Sequence, residues 1–248
     1  MSRWWLDRLR GPWPGARSTA VEWRVTDTRP EAIGQQLDAL ALPPGTPMTC
    51  IVAGEGARYQ IVPWRDELSR PAQRQLLAEQ CFREAYGDAA RGWTVRQQAT
   101  RYGAATLACA IDTALLDQLD AQSQAQRLAL VSVQPALMHG YNLARHKMPP
   151  DLTWFVAVDA VSTTLLLQSP AEPLLVRRIP SPVLDLAHTL DRDWFALGME
   201  STRCPVYLLR SEGVVMPRTV LPWQVIDLTP VRDAATPAPV ALSDEVTA

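Results

Sequence analysis

Residues 155–167 read Phe155-Val156-Ala157-Val158-Asp159-Ala160-Val161-Ser162-Thr163-Thr164-Leu165-Leu166-Leu167. Two apolar, partly β-branched runs flank a short acidic turn, and neither run alternates with polar residues. That is the pattern of two strands buried on both faces. A third run, Leu174–Ile179, follows after a polar break. Next comes a helical stripe, Val183, Leu186, Leu190, Trp194 and Leu197, at steps of three and four. Strand, turn, strand, strand and helix in close succession put helices on the face of a sheet, which makes the class α/β.

Working outward, the same rhythm occurs earlier in the chain. Val21–Thr26 reads as a strand, Pro30–Leu42 as a helix, and Met48–Ala53 and Tyr59–Trp64 as strands across Gly54-Glu55-Gly56. Ser69 reads as the N-cap of a helix with Pro71 in its first turn, running through about Tyr86, with Ala72, Leu76, Leu77, Cys81 and Ala85 as its buried stripe. Trp93–Gln97 and Thr106–Ile111 follow as strands, then a helix capped by Asp112, a strand over 128–133 and a helix from Pro135. After the helix of the C-terminal half, Pro205–Leu209 and Gln224–Leu228 close the folded part. Pro149-Pro150 divides the two repeats of the rhythm. The expected organisation is a basic Trp-rich segment over 1–20, a first lobe over 21–148, a second over 151–228 and a disordered tail over 229–248. Mixed sheets flanked by helices in two lobes suit 248 residues.

Charge and composition exclude several classes. The chain carries 24 basic and 26 acidic residues, a net charge of −2, so no global field gathers nucleic acid. Lys147 is its only lysine. The longest apolar stretch, Trp154–Leu167, contains Asp159 and is shorter than the roughly 20 residues of a spanning helix. The opening residues lack the apolar core of a secretory signal. Cys50, Cys81, Cys109 and Cys204 are scattered without a Cys-x-x-Cys pair, the pattern of reduced, buried thiols. Nine Trp against three Phe suit surfaces that dock a partner. Trp4, Trp5 and Trp64 are the candidate anchors. Residues 1–24 hold five Arg against two acids, a local +3 that could also meet an anionic membrane surface.

There is no phosphate loop ending in Gly-Lys, and Gly54-Glu55-Gly56 lacks the third glycine of a dinucleotide fingerprint. No Gly-x-Ser-x-Gly elbow occurs. His139 and His146 lie seven apart without the further ligands a metal needs, and read as solvated or helix-capping side chains. Arg58, Arg65, Arg70 and Arg74 read as solvated arginines around a helix start. No catalytic residue, metal site or cofactor is therefore expected.

The 155–167 stretch, with Leu175-Val176-Arg177-Arg178-Ile179-Pro180 behind it, resembles the opening of the second lobe in the actin-like fold of the PilM family. Leu107–Leu116 followed by Leu130–Pro135 is similar to the passage between lobes in GspL-type secretion platform proteins. Together the resemblance covers roughly residues 48–210. It implies a duplicated, RNase H-like two-lobed fold and a cytoplasmic place beneath the inner membrane, in type IV pilus or type II secretion assembly. The implied partner is a short cytoplasmic segment of a bitopic membrane protein, with the assembly ATPase as a second contact.

The departures from that family pattern carry as much weight. Nucleotide-binding members place glycines where backbone amides must approach phosphate. Here Ala160-Val161 follows Asp159, and Ser181-Pro182 stands where a glycine pair is expected. Asp159, Ser162 and Thr163 are thus candidate remnants of a nucleotide turn, expected to act as a structural turn. The favoured reading is a non-catalytic scaffold. Its rivals are a divergent ATP-binding kinase or ATPase of the same fold class and a dimeric adaptor unrelated to pili.

Overall fold

The computed structural model describes residues 20–98, 101–180, 185–199, 203–211, 213–214 and 222–229. Trp4, Trp5, Ser181-Pro182 and the expected tail beyond Thr229 lie outside the described residues. In chain order the elements are β1 (Val21–Val25), α1 (Pro30–Asp38), β2 (Pro47–Val52), β3 (Ala57–Val62), α2 (Pro71–Tyr86), β4 (Trp93–Gln97), β5 (Thr106–Asp112) and α3 (Thr113–Ala125). They continue as β6 (Ala129–Pro135), α4 (Ala136–Ala144), β7 (Thr153–Val158), β8 (Ser162–Gln168), β9 (Pro173–Pro180), α5 (Leu186–Ala196), β10 (Val206–Arg210) and β11 (Val225–Asp227).

The stretch that set the class forms the centre of a five-stranded sheet ordered β11-β10-β7-β8-β9. β7, β8 and β9 meander antiparallel, then the chain crosses by α5 so that β10 runs parallel to β7 and β11 parallel to β10. Continuous burial along β7 and β8 follows from their central position. Asp185 caps α5 by accepting the amide of His188, and Leu186, Leu190 and Trp194 are its buried stripe.

The N-terminal half divides its six strands between two sheets. β1-β2-β6 is parallel, and β3-β5-β4 is antiparallel around β5. Asp112 ends β5 and caps α3 through the amide of Ala114, as its place before an apolar run predicts. The overall class is the mixed α/β expected from the sequence.

Two expectations fail on α2. It begins at Pro71, but the N-cap position falls to Arg70 in place of Ser69, with no side-chain cap bond, and its buried residues are Arg74, Ala78 and Phe82. Leu76 from the expected stripe is 59% exposed. Phe82 is wholly buried against Ala78, Val95 and Ala110, so one large ring on the sheet outweighs the smaller side chains of the other face. Arg74 is carried inward by the same rotation.

One apolar cluster crosses the boundary between the halves. Phe155, Leu166 and Tyr207 from the C-terminal sheet share a core with Leu137 and Met138 of α4, Ile111 of β5 and Val25 of β1. Gly140 permits this approach: a Cβ there would lie 2.6 Å from Cδ2 of Leu209 and 3.5 Å from the Phe155 ring. Tyr141 meets Phe155 edge to face at 5.5 Å. Replacing Gly140→Val overfills that seam, and urea unfolding should show a loss of about 1–3 kcal/mol, with Gly140→Ala losing less because the Leu209 terminus can rotate aside.

Candidate functional site

Two concavities among the described residues bear on function. The larger, a cleft of about 580 Å³, lies between the halves. Its walls come from the carboxyl ends of β2, β7 and β10, from β1, and from the start of α4. Carboxyl ends of parallel strands are where open α/β sheets receive ligands.

Asp159, Ser162 and Thr163 are brought together at the β7–β8 turn, where Asp159 reaches the cleft wall and the other two lie behind it. Asp159 is 8% exposed, and its Oδ1 accepts the amides of Val161 (2.9 Å) and Ser162 (2.7 Å). Its Oδ2 accepts the Ser162 hydroxyl at 3.1 Å, and its own amide donates to the Ser162 carbonyl at 2.9 Å. Thr163 is fully buried. The carboxylate thus spends both oxygens on closing its own turn. Val161 stands out from that turn onto the first half, where a Cβ on Gly54 would lie 2.8 Å from its Cγ2. Gly54 has φ +56°, a left-handed conformation that glycine adopts without strain.

Residues the sequence reading passed over line the rest of the cleft. The sequence suggests a solvated or helix-capping His139, yet it is 8% exposed because Gly140 draws α4 against the second sheet. Its Nδ1 lies 3.1 Å from Oε1 of Gln134, whose amide nitrogen donates to the Ser132 hydroxyl at 3.2 Å. Its Nε2 is 3.4 Å from Glu22. Burial pulls the imidazole below its ordinary pKa, and Glu22 opposes that only in part. His146, by contrast, is exposed as expected. Tyr59 accepts the amide of Leu137 at 3.3 Å, and burial pushes its phenol well up. Arg210 pairs with Asp227 at 2.5 Å. Burial would raise the Asp227 carboxyl, but bonds from Thr229 and Arg210 more than offset it and hold it low. The one local signal for a buried His139 was the small residue after it, which admits a neighbouring sheet.

The second concavity, about 420 Å³, opens where β4 and β6 face each other across α3. Both are edge strands, and among the described residues no strand pairs with their outer sides. Trp93, Val95, Leu116, Leu130 and Val131 give it an apolar lining, with Glu79, Arg96 and Asp120 also on its wall. Val131 is the extra residue of a β-bulge: Leu130 sits opposite Met48 and Ser132 opposite Thr49. A bulge re-aims its side chain and leaves its backbone outside the ladder. On the facing strand the Val95 carbonyl is already held by Gln75 (3.0 Å) and Arg96 (3.0 Å), so β6 presents the freer edge.

Trp64, the remaining expected anchor, lies in neither concavity. Its indole N–H donates to Asp66 at 2.8 Å, Tyr102 packs on it at 4.7 Å, and the Arg74 guanidinium covers its ring at 4.5 Å. Cys50, Cys109 and Cys204 are buried and unpaired, and Cys81 is half-buried. Burial pushes the Cys50 thiol up to about 12 and Cys204 up to about 11, so neither is poised as a nucleophile. Among the described residues no group of acidic, His and Cys side chains could hold a metal ion, and no helix is long and apolar enough to cross a membrane.

No protein-family model matches the sequence, and no curated protein sequence does either. Solved structures do match. A structure described as the PilM-PilN type IV pilus biogenesis complex aligns over 73% of this chain and 68% of that one, at 16% identity and TM-score 0.52. The cytoplasmic domain of EpsL, an inner-membrane component of the type II secretion system of Vibrio cholerae, aligns over 80% and 74%, at 10% identity and TM-score 0.51. This chain has the PilM and EpsL fold. A Bacteroides thetaiotaomicron protein described as having an actin-like ATPase fold and unknown function aligns at TM-score 0.44, 13% identity, over 67% of this chain and 60% of that one.

Within this PilM-like fold, the His139 environment sets a pH response. A folded-state pKa held below the unfolded value contributes stability that is present above the unfolded pKa and is lost as pH falls. Urea midpoints should therefore drop between pH 7.5 and 5.5, and His139→Gln should flatten that drop.

Proposed function

We propose that this protein is a non-catalytic scaffold of a type IV pilus or type II secretion-like inner-membrane assembly. In this reading it works in the cytoplasm and binds a short extended segment of a bitopic membrane partner. The observation that carries the proposal is the groove between β4 and β6. An edge strand with unpaired N–H and C=O groups beside an apolar trough is the arrangement that receives a peptide as an added strand. The PilM likeness, from a structure whose description pairs it with PilN, adds the expected class of partner. The duplicated two-lobed plan, with lobes over 21–148 and 151–228, belongs to the same proposal. The order β11-β10-β7-β8-β9 supports it for the second lobe. Trp4 and Trp5 are retained as anchors for the partner or the membrane surface, and Trp64 as a further candidate anchor for the partner.

Val131→Glu puts a charge into the trough at a residue outside the ladder, so it should spare the fold. The probes are synthetic peptides covering the cytoplasmic segments of single-span inner-membrane proteins encoded beside this chain. Fluorescence anisotropy should find one peptide binding at micromolar Kd, weakened at least tenfold by Val131→Glu. No binding by any of them, or binding indifferent to Val131→Glu, sinks the proposal.

The enzyme alternative, a divergent ATP-binding relative, is disfavoured by the Asp159 carboxylate being used up within its own turn and by Val161 filling the approach to Gly54. Calorimetry with Mg-ATP should give no micromolar binding. Heat of binding that disappears in Asp159→Ala would reinstate the alternative.

A further inference from the structure

We propose that β9 is a strap that holds the two halves of the molecule at one fixed angle, so that the cleft between them does not open and close as a hinge. β9 is the edge strand of the C-terminal sheet, paired on one side with β8. Its other side lies against β3 and β5 of the N-terminal half.

Both ends of that strand are pinned across the boundary. Just before it, Glu172 Oε2 accepts the backbone amide of Ala105 at 2.5 Å. Near its far end, Arg178 Nη1 donates to the Gly54 carbonyl at 2.6 Å. The two pins lie six positions apart, roughly 20 Å of extended chain. Between them Val176 packs on the core cluster that spans both halves. The Val161 side chain adds a wedge beside the second pin, seated on Gly54.

A hinge rotates freely only about an axis passing through its fixed points. Here a line of contacts along β9 is supplemented by a separate contact elsewhere, Gly140 and Tyr141 of α4 against Phe155 and Leu209. Any rotation about β9 would pull α4 off the sheet and expose apolar surface. Any rotation about α4 would break charge-assisted bonds at Glu172 or Arg178, each of the stronger class of hydrogen bond. Packed interfaces of this kind are stable in discrete arrangements and do not deform smoothly. The strap is a property of the framework and does not depend on what the β4–β6 groove binds.

Pulsed electron resonance distances test this directly. Spin labels at Glu84→Cys on α2 and His188→Cys on α5, in a Cys81→Ser background, report the angle between the halves. Cys50, Cys109 and Cys204 are buried and should not take label. The expected result is one narrow distance population, unchanged by saturating Mg-ATP. Replacing Glu172→Ala, Arg178→Ala and Val161→Ala together should broaden it while circular dichroism stays unchanged. If the triple variant does not fold, Val161→Ala with Arg178→Ala is the reduced form of the same test, with the same expected broadening. A second population in the parent protein, a shift of its mean by more than about 2 Å with Mg-ATP, or an undisturbed distribution in a folded strap variant would each overturn the proposal.

Discussion

The apolar seam between α4 and the C-terminal sheet is the constraint on which the remaining geometry rests. Gly140 lets a helix backbone reach Leu209 and the Phe155 ring, and that approach joins the residues of both halves into one core. It also decides the cleft, because the start of α4 supplies His139 and the Leu137 amide that meets Tyr59. Dispersion and water exclusion across such a seam act without direction. The directional bonds of the Asp159 turn and of Gln134 with His139 then set the orientation of individual side chains.

The two concavities differ in kind. The cleft between halves is crowded with paired polar groups: Asp159 with its own turn, Arg210 with Asp227, His139 with Gln134 and Glu22, although the buried Arg210 Nε has no partner. A ligand entering there must displace or share those partners. The β4–β6 groove is lined by apolar side chains and backs onto an edge whose hydrogen-bonding groups have no strand beside them. Adding a strand there satisfies groups that otherwise rely on water.

Strand and helix positions were largely legible, because the apolar runs are long and the chain is punctuated by proline and glycine. Val21–Val25, Trp93–Gln97, Thr153–Val158 and the Asp112 cap stand where the pattern puts them. What escaped was rotation and tertiary proximity. The face of α2 was misjudged because Leu76 and Leu77 suggested a stripe that the single ring of Phe82 overrides. The burial of His139 escaped because its one local sign, the glycine after it, does not say that a sheet will lie there. The groove itself joins residues from 79 to 133 through two separate sheets, and no short spacing encodes that meeting. The closure of the Asp159 turn was within reach of the sequence because its bonds are all within four residues of each other.

The bulge at Val131 has an effect beyond shaping a wall. A straight, regular border strand is a template on which identical molecules can stack without limit, the first step toward fibrils. One extra residue kinks the ribbon and throws its donors and acceptors out of step with a flat copy of itself. This border of the molecule is therefore a poor template for a second copy of itself.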